Sequence, residues 1–227
     1  MEIKSIVLRQ VKMELLHPFT TSVGTEVDKD FIVVEVQSKS GLSGWAESVS
    51  IVEPMYNEET VKTNWHMMND HLIPRLSKAS IGHPDDVSDI FKPVRGNFNA
   101  KAAIEGAIWD LYAKENKLSL SKALGGVKNK IEVGVSIGIK DSEQQLLKQI
   151  EDYLKDGYKR IKVKIMPGWD VEIIRAVRKE FPGIQLMADA NCAYSLSDID
   201  YLKQLDEFGL TMIEQPLAHD DIIDHAK

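Results

Sequence analysis

Apolar and polar positions alternate along the first fifty residues, the period-two pattern of half-buried strands. Ile3, Ile6 and Leu8 lead into Val11, Met13 and Leu15, a run that His17-Pro18 is expected to end. A second run, Phe31–Gln37, meets the turn Ser38-Lys39-Ser40-Gly41 and returns as Leu42–Val49, which predicts a hairpin. Between the two runs, residues 19–28 are polar, contain Gly24 and show no helical period, so they read as a mobile loop. Beyond Asn57 the period lengthens. Val61, Trp65, Met68, Leu72 and Ile73 fit an amphipathic helix reaching about Leu76. Gly82-His83-Pro84 breaks it, and a short helix follows to about Phe91. Ala103, Ala107 and Leu111 mark a helix over roughly residues 99–116, and another short helix ends at Gly125-Gly126. Strands followed by helices define an α+β unit over residues 1–128.

From about residue 130 the pattern becomes a strict alternation. Strands are predicted at 131–139, 160–166, 184–190 and 211–215, with helices at 142–155, 170–180 and 197–208 and another starting near Asp220. Each strand–helix unit takes about 25 residues, the rhythm of a parallel α/β sheet or barrel. Arg160-Ile-Lys-Val-Lys-Ile-Met166 decides for a barrel, because its lysines alternate with apolar residues as on a strand reaching a ligand-binding mouth. Eight such units need about 200 residues or more. Residues 129–227 provide four. The fold class is therefore α/β: an α+β capping domain, then the first half of a (β/α)₈ TIM-type barrel, with its C-terminal half expected to be absent.

Charge and composition narrow the function. The chain has 28 Lys+Arg against 35 Asp+Glu, a net charge of −7, and 43% apolar residues. That is an ordinary folded protein, and the acidic balance argues against a nucleic-acid or anionic-membrane binder. A single cysteine, Cys192, points to a reducing compartment; with charges in the first ten residues and no long apolar run, a cytoplasmic location is expected.

Candidate chemistry sits at the predicted strand ends. Lys164, Asp189 and Glu214 recur one unit apart, each at the C-terminal end of a strand, where barrel enzymes carry their active sites. Asp189 and Glu214 are hard oxygen donors suited to Mg²⁺, or Mn²⁺, rather than zinc. Lys162 and Lys164 point to one face of their strand. Two neighbouring ammonium groups repel, which is expected to lower a lysine pKa toward the ~7–8 that suits a general base. The histidines show no metal spacing, since His66 and His71 are five apart. Trp109 and Asp110 are expected at cap–barrel packing, Met67-Met68 in a core, and Cys192 to be inert.

Three stretches, Tyr158–Lys164, Met187-Ala-Asp-Ala-Asn191 and Ile213-Glu-Gln-Pro216, together resemble the enolase superfamily, muconate-lactonizing subgroup. With Ala107–Lys114, Leu124-Gly-Gly126, Val135-Ser-Ile-Gly138 and Asp189–Tyr194, the resemblance is closer to the o-succinylbenzoate synthase / N-acylamino acid racemase family. It implies Lys164 as the acid/base lysine with Lys162 beside it, and Asp189 and Glu214 as metal ligands. Asn191, Ser136 and, on a loop closing over substrate, Phe19 and Ser22 would be substrate contacts. The implied activity is Mg²⁺-dependent proton abstraction alpha to a carboxylate. This would be either dehydration by o-succinylbenzoate synthase in menaquinone biosynthesis, or N-acylamino acid racemisation; dipeptide epimerisation is a third reading. The expected partners are a small-molecule carboxylate substrate and further copies of the chain. The family's third acidic ligand and second lysine belong to a fifth and a sixth strand. The 227 residues alone are therefore expected to be inactive, and a non-catalytic half-barrel is the reading from another class.

Overall fold

β-Branched and apolar residues on alternate positions build a three-stranded sheet near the N-terminus of the computed structural model, which describes residues 1–227. Strands β1 (Ile3–Thr20), β2 (Thr25–Ser38) and β3 (Ser43–Val49) lie in the order β1-β2-β3. β2 and β3 form the expected antiparallel hairpin, with Phe31 opposite Val49 and Gln37 opposite Ser43. The first two strands run further than their pattern predicts. β1 continues through His17-Pro18 to Thr20 and β2 begins at Thr25, so the expected loop of residues 19–28 shrinks to a tight turn closed by Thr21 N–H donating to Gly24 O at 2.9 Å. β1 is an edge strand, where a proline's missing N–H costs no ladder bond.

The first unit comprises Met1–Glu14 and Asp28–Asn129. Its helical part opens at Thr60, whose hydroxyl accepts from Thr63 N–H while the Thr63 hydroxyl accepts from Thr60 N–H. Helix α1 (Val61–His66) passes into a π-helical turn, Met67–Leu72, and on into α2 (Ile73–Leu76). α3 (Asp86–Phe91), α4 (Phe98–Glu115) and α5 (Leu120–Ala123) follow. α4 has no side-chain cap of its own, because Asn97 before it is left-handed (φ 56°); instead the buried Glu59 carboxylate accepts from Asn99 and Ala100 N–H at 3.1–3.2 Å. The core joins Ile32, Val34 and Val36 of β2 to Met68, Leu72, Ile104, Ile108 and Leu111, so Met68 is core as expected. Gly44 on β3 lets α4 pack backbone against backbone: a Cβ there would collide with Ala107 O and lie 2.7 Å from Leu111 Cβ.

The second unit comprises Lys130–Lys227 together with Leu15–Val27, the tip of the β1–β2 hairpin. β4 (Gly134–Ile137), β5 (Arg160–Lys164), β6 (Gln185–Asp189) and β7 (Met212–Glu214) pair parallel in that order. Helices α6 (Glu143–Lys155), α7 (Val171–Glu180), α8 (Ile199–Leu202, flanked by 3₁₀ turns) and α9 (Ile222–His225) alternate with them. Ser142 and Asp170 cap α6 and α7 through their side-chain oxygens. Ile137, Ile161, Val163, Leu186 and Ala188 on one face of the sheet join Leu146, Ile150, Ile174 and Val177 of the helices in a second core. Arg178 of α7 ties the lower end, donating to the carbonyls of Phe208, Ile184 and Pro182 at 2.8–3.2 Å. No helix is long and apolar enough to cross a membrane.

The two glycines at contrasting sites make a direct test of the packing. Gly44→Ala should lower stability by about 2–3 kcal/mol through overpacking. Gly183→Ala, where a Cβ meets nothing within 4 Å, should change it by less than about 0.5 kcal/mol. Urea midpoints of the two variants decide; equal midpoints would show that the β3–α4 contact does not limit the first unit.

Candidate active site

Parallel register sets the inward face of the second sheet in three rows. Gly134, Arg160 and Gln185 are in register, then Ser136, Lys162, Met187 and Met212, and at the C-terminal ends Lys164, Asp189 and Glu214. Side chains in one row of a parallel sheet share a face. The last row and Lys162 form an array of alternating charge. Lys164 Nζ lies 2.5 Å from Asp189 Oδ2, Lys162 Nζ lies 3.0 Å from the same oxygen, and Lys162 Nζ is 2.9 Å from Glu214 Oε2. Exposure rises along it: the side chains of Asp189 and Lys164 are 0% and 8% exposed, those of Lys162 and Glu214 23% and 32%. Such buried charges are tolerable only because each is paired. Lys162 and Glu214 line an open cleft of about 630 Å³ with Ser136, Met187 and Arg160, whereas Lys164 and Asp189 lie off its wall.

Beyond Asp189 the chain makes a tight turn. Asn191 and Cys192 are both left-handed, at φ 43° and 66°, as is Gln215 after β7 at 43°. Non-glycine residues hold this conformation only where surrounding bonds impose it. Here Asn191 N–H donates to Asp189 Oδ1 at 3.1 Å, and Cys192 N–H to Gln215 O at 2.7 Å. The turn carries Asn191 Oδ1 to 2.7 Å from Lys164 Nζ. The hairpin tip completes the surroundings: the Ser22 hydroxyl donates to Ala190 O (2.8 Å) and Asn191 O (3.1 Å), and the Phe19 ring centre is 5.9 Å from Lys164 Nζ. Ile139 N–H donates to Thr20 O, which fastens the tip beside β4.

The structure thus gathers Lys162, Lys164, Asp189, Glu214, Asn191, Phe19 and Ser22 around one group of atoms. Ser136 lies lower on the cleft, its buried hydroxyl without a hydrogen-bond partner. One electrostatic expectation is reversed for Lys162. The lysines were expected to depress each other's pKa, but Asp189 stands between them. Burial opposes charge on Lys162, yet its bonds to Glu214 and Asp189 outweigh that and raise its pKa above 10.5. Asp189 is likewise penalised by burial but held below 3.8 by Lys164 and Lys162. Burial and the Asp189 charge push the Cys192 thiol up, in line with an inert cysteine.

Other expectations resolve away from the site. Asp110 accepts from Trp45 N–H and Lys114, and Trp109 packs edge-on against His83, all inside the first unit. The π-helical turn makes a five-residue step a neighbour step, and the His66 and His71 rings meet edge-on at 5.1 Å; no group of three metal-type side chains forms there or elsewhere. Sequence reasoning missed the buried Asp170, which accepts from Tyr194 OH at 2.8 Å and Tyr201 OH at 2.6 Å. Its only signal is position, just past the end of β5.

Family models match both parts of the chain. Residues 3–125 match the mandelate racemase / muconate lactonizing enzyme N-terminal domain, and residues 145–227 the enolase C-terminal domain-like family. The chain belongs to the mandelate racemase / muconate lactonizing enzyme family of the enolase superfamily. It is 58% identical to the o-succinylbenzoate synthase of Geobacillus stearothermophilus over 99% of this chain and 60% of that protein. It is 42% identical to the N-succinylamino acid racemase of Thermus thermophilus, over 100% of this chain and 61% of that protein. A crystal structure of an enolase-superfamily member from Listeria innocua superposes with a TM-score of 0.94 at 40% identity, covering 99% of this chain and 61% of that one. A dipeptide epimerase from Enterococcus faecalis, crystallised with Mg and a dipeptide, gives 0.84 at 25%, covering 97% and 63%. The chain spans about 60% of the length of the curated relatives it matches.

Acid and alkali should each weaken the array. Asp189 has a lowered folded pKa, so its contribution to stability is complete above about pH 4 and is lost as the pH falls through the folded value. Lys162 has a raised one, so its contribution is present below 10.5 and lost as the pH rises through the folded value. Asp189→Asn should therefore reduce the acid-side loss of stability relative to wild type. Unfolding free energies from pH 7 to pH 3 measure this, and parallel acid limbs would rule it out.

Proposed function

We propose that the protein carrying these residues is a Mg²⁺-dependent lyase of the o-succinylbenzoate synthase type, acting in menaquinone biosynthesis in the cytoplasm. It removes a proton alpha to a small substrate's carboxylate and then expels a hydroxyl as water. The observation that carries this reading is the array itself. One lysine is held by Asp189 and Asn191, and a second ammonium is seated where two carboxylates converge. The synthase relative at 58% identity supports the choice of reaction.

The residues fit the metal. Lys162 already places positive charge within 3.0 Å of Asp189 and 2.9 Å of Glu214, so the pair favours a cation, and both donors are hard oxygens. Asp189 and Glu214 would be two of the ligands that hold Mg²⁺, or Mn²⁺. When bound, such an ion supplies Lewis-acid stabilisation of the negative charge that develops on the substrate carboxylate.

The chain's own groups supply the proton transfers. Lys164, as the free amine, takes the alpha proton, and the electrons of the broken C–H bond pass toward the carboxylate. The resulting ammonium gives that proton to the departing hydroxyl. The C–O bond breaks, a C=C bond forms, water leaves and Lys164 is neutral again. Asp189 and Asn191 fix the direction of Nζ throughout, while Lys162, with its raised pKa, stays charged at neutral pH and adds positive potential. Phe19 and Ser22, on the tip beside Lys164, and Ser136, on the cleft wall, would meet the substrate.

N-acylamino acid racemisation is the second reading. It shares the first proton removal and is supported by the 42% identical racemase relative. Assays of the native protein on a β-hydroxy carboxylate and on N-succinyl amino acids, with and without Mg²⁺, separate the two. Lys164→Ala should slow exchange of the alpha proton by about a thousand-fold, with substrate affinity retained. Asp189→Asn should weaken Mg²⁺ binding about ten-fold or more, read by calorimetry. Mg²⁺-independent behaviour with no turnover of either substrate would leave the non-catalytic reading in place.

A further inference from the structure

Tyr194 lies three residues beyond Asn191 and is 93% buried, with its hydroxyl not on the charged array but on another buried carboxylate, Asp170. Asp170 accepts from Tyr194 OH at 2.8 Å through Oδ2, and from Tyr201 OH and Val171 N–H through Oδ1. Burial and the Asp170 carboxylate push the Tyr194 phenol well up, so it is a permanent donor. Between Asp189 and Tyr194 the backbone must hold two consecutive left-handed residues, Asn191 and Cys192, neither of them glycine. Such a turn relaxes unless both ends are restrained. The near end is restrained by Asp189 itself, through Asn191 N–H. At the far end Tyr194 N–H donates to Pro216 O at 3.0 Å, and the phenol reaches across to Asp170 at the head of α7, the helix that follows β5. β5 also carries Lys164. Tyr194 therefore ties the turn that presents Asn191 to the segment that continues from the strand bearing Asn191's partner.

We propose that Tyr194 is a positioning residue: its bond to buried Asp170 holds the strained Asn191–Cys192 turn so that Asn191 Oδ1 stays on Lys164 Nζ. The proposal rests on the reading of Lys164 as the acid/base group. Tyr201 provides the internal comparison, because it bonds the same carboxylate from a half-exposed site on α8 and is not part of the turn.

The experiment measures kcat and KM of the native protein beside Tyr194→Phe, Tyr201→Phe and the double variant Tyr194→Phe with Cys192→Gly. Misplacing a catalytic group by a fraction of an ångström costs about ten- to a hundred-fold in turnover. Tyr194→Phe should lose that much in kcat with KM within about two-fold, and Tyr201→Phe should stay within about two-fold of wild type in both. Cys192→Gly should recover part of the loss, because glycine takes a φ of 66° without strain. A loss confined to KM, equal losses in both tyrosine variants, or no recovery by glycine would overturn the proposal. The side-chain amide resonances of Asn191 give a readout without turnover: they should move in Tyr194→Phe and hold in Tyr201→Phe. If wild type turns over neither substrate, the functional reading fails, while these resonances still decide the positioning; unchanged resonances in Tyr194→Phe overturn it. Should Tyr194→Phe not fold, Asp170→Asn is compared with Tyr201→Phe: the first weakens the bonds of both phenols and the second removes one, so Asn191 resonances that move only in Asp170→Asn support the proposal, and resonances that move in both or in neither overturn it.

Discussion

Everything at the candidate site depends on charge balance along one edge of a parallel sheet. Two ammonium groups and two carboxylates meet at the ends of β5, β6 and β7, and each buried charge has an opposite neighbour within 3.0 Å. Remove Asp189 and Lys164 loses its carboxylate; remove Lys162 and Glu214 loses its ammonium, and a charge left unpaired in a low-dielectric interior is costly, which is why such groups occur together. The same arrangement explains how a chain can keep Asp189 fully buried and ionised. It also explains why the neighbouring lysines do not behave as an isolated repelling pair: the carboxylate between them reverses the sign of the field that Lys162 experiences.

Backbone strain is concentrated in the same place. Three of the five non-glycine residues with positive φ, Asn191, Cys192 and Gln215, follow directly on β6 and β7. Their hydrogen bonds link them to each other's strands, Cys192 to Gln215 and Tyr194 to Pro216. Strain of this kind persists where neighbouring structure over-determines it, and here it holds the polar groups of the mouth in fixed directions. The hairpin tip joins the same network through the Ser22 hydroxyl, so a segment from the start of the chain shares the second unit's hydrogen bonds.

Much of this was legible from the sequence because it rests on periods. Alternation at two residues marked β2, β3 and β5, and the regular return of acidic and basic residues at strand ends placed Lys164, Asp189 and Glu214 in one row. What was not legible depends on neighbours that a local pattern does not contain. Pro18 reads as a stop, but on an edge strand it interrupts nothing. Asn191 is of a type that takes left-handed geometry readily, but Cys192 carries no mark of it, since the bond that holds it comes from Gln215. His66 and His71 look mismatched until a π-helical turn changes the step that counts as adjacent. The cap of α4 was equally hidden, because Glu59 supplies it from outside the helix. The direction of the Lys162 shift was misread for the same reason: its two carboxylates stand 27 and 52 residues away in sequence and adjacent in space.

The row of strand-end charges has a consequence for how descendants of this sequence can change in length. Lys164 and Asp189 are 25 residues apart, but the strand register does not require that interval. A residue gained or lost in the connection between β5 and β6 leaves both side chains where they are. The same change within β5, ahead of Lys162, reverses the parity of the strand and turns both ammonium groups onto the helix-covered face. Heritable insertions and deletions are thereby channelled into the connections, and those few strand positions are left to vary by substitution alone.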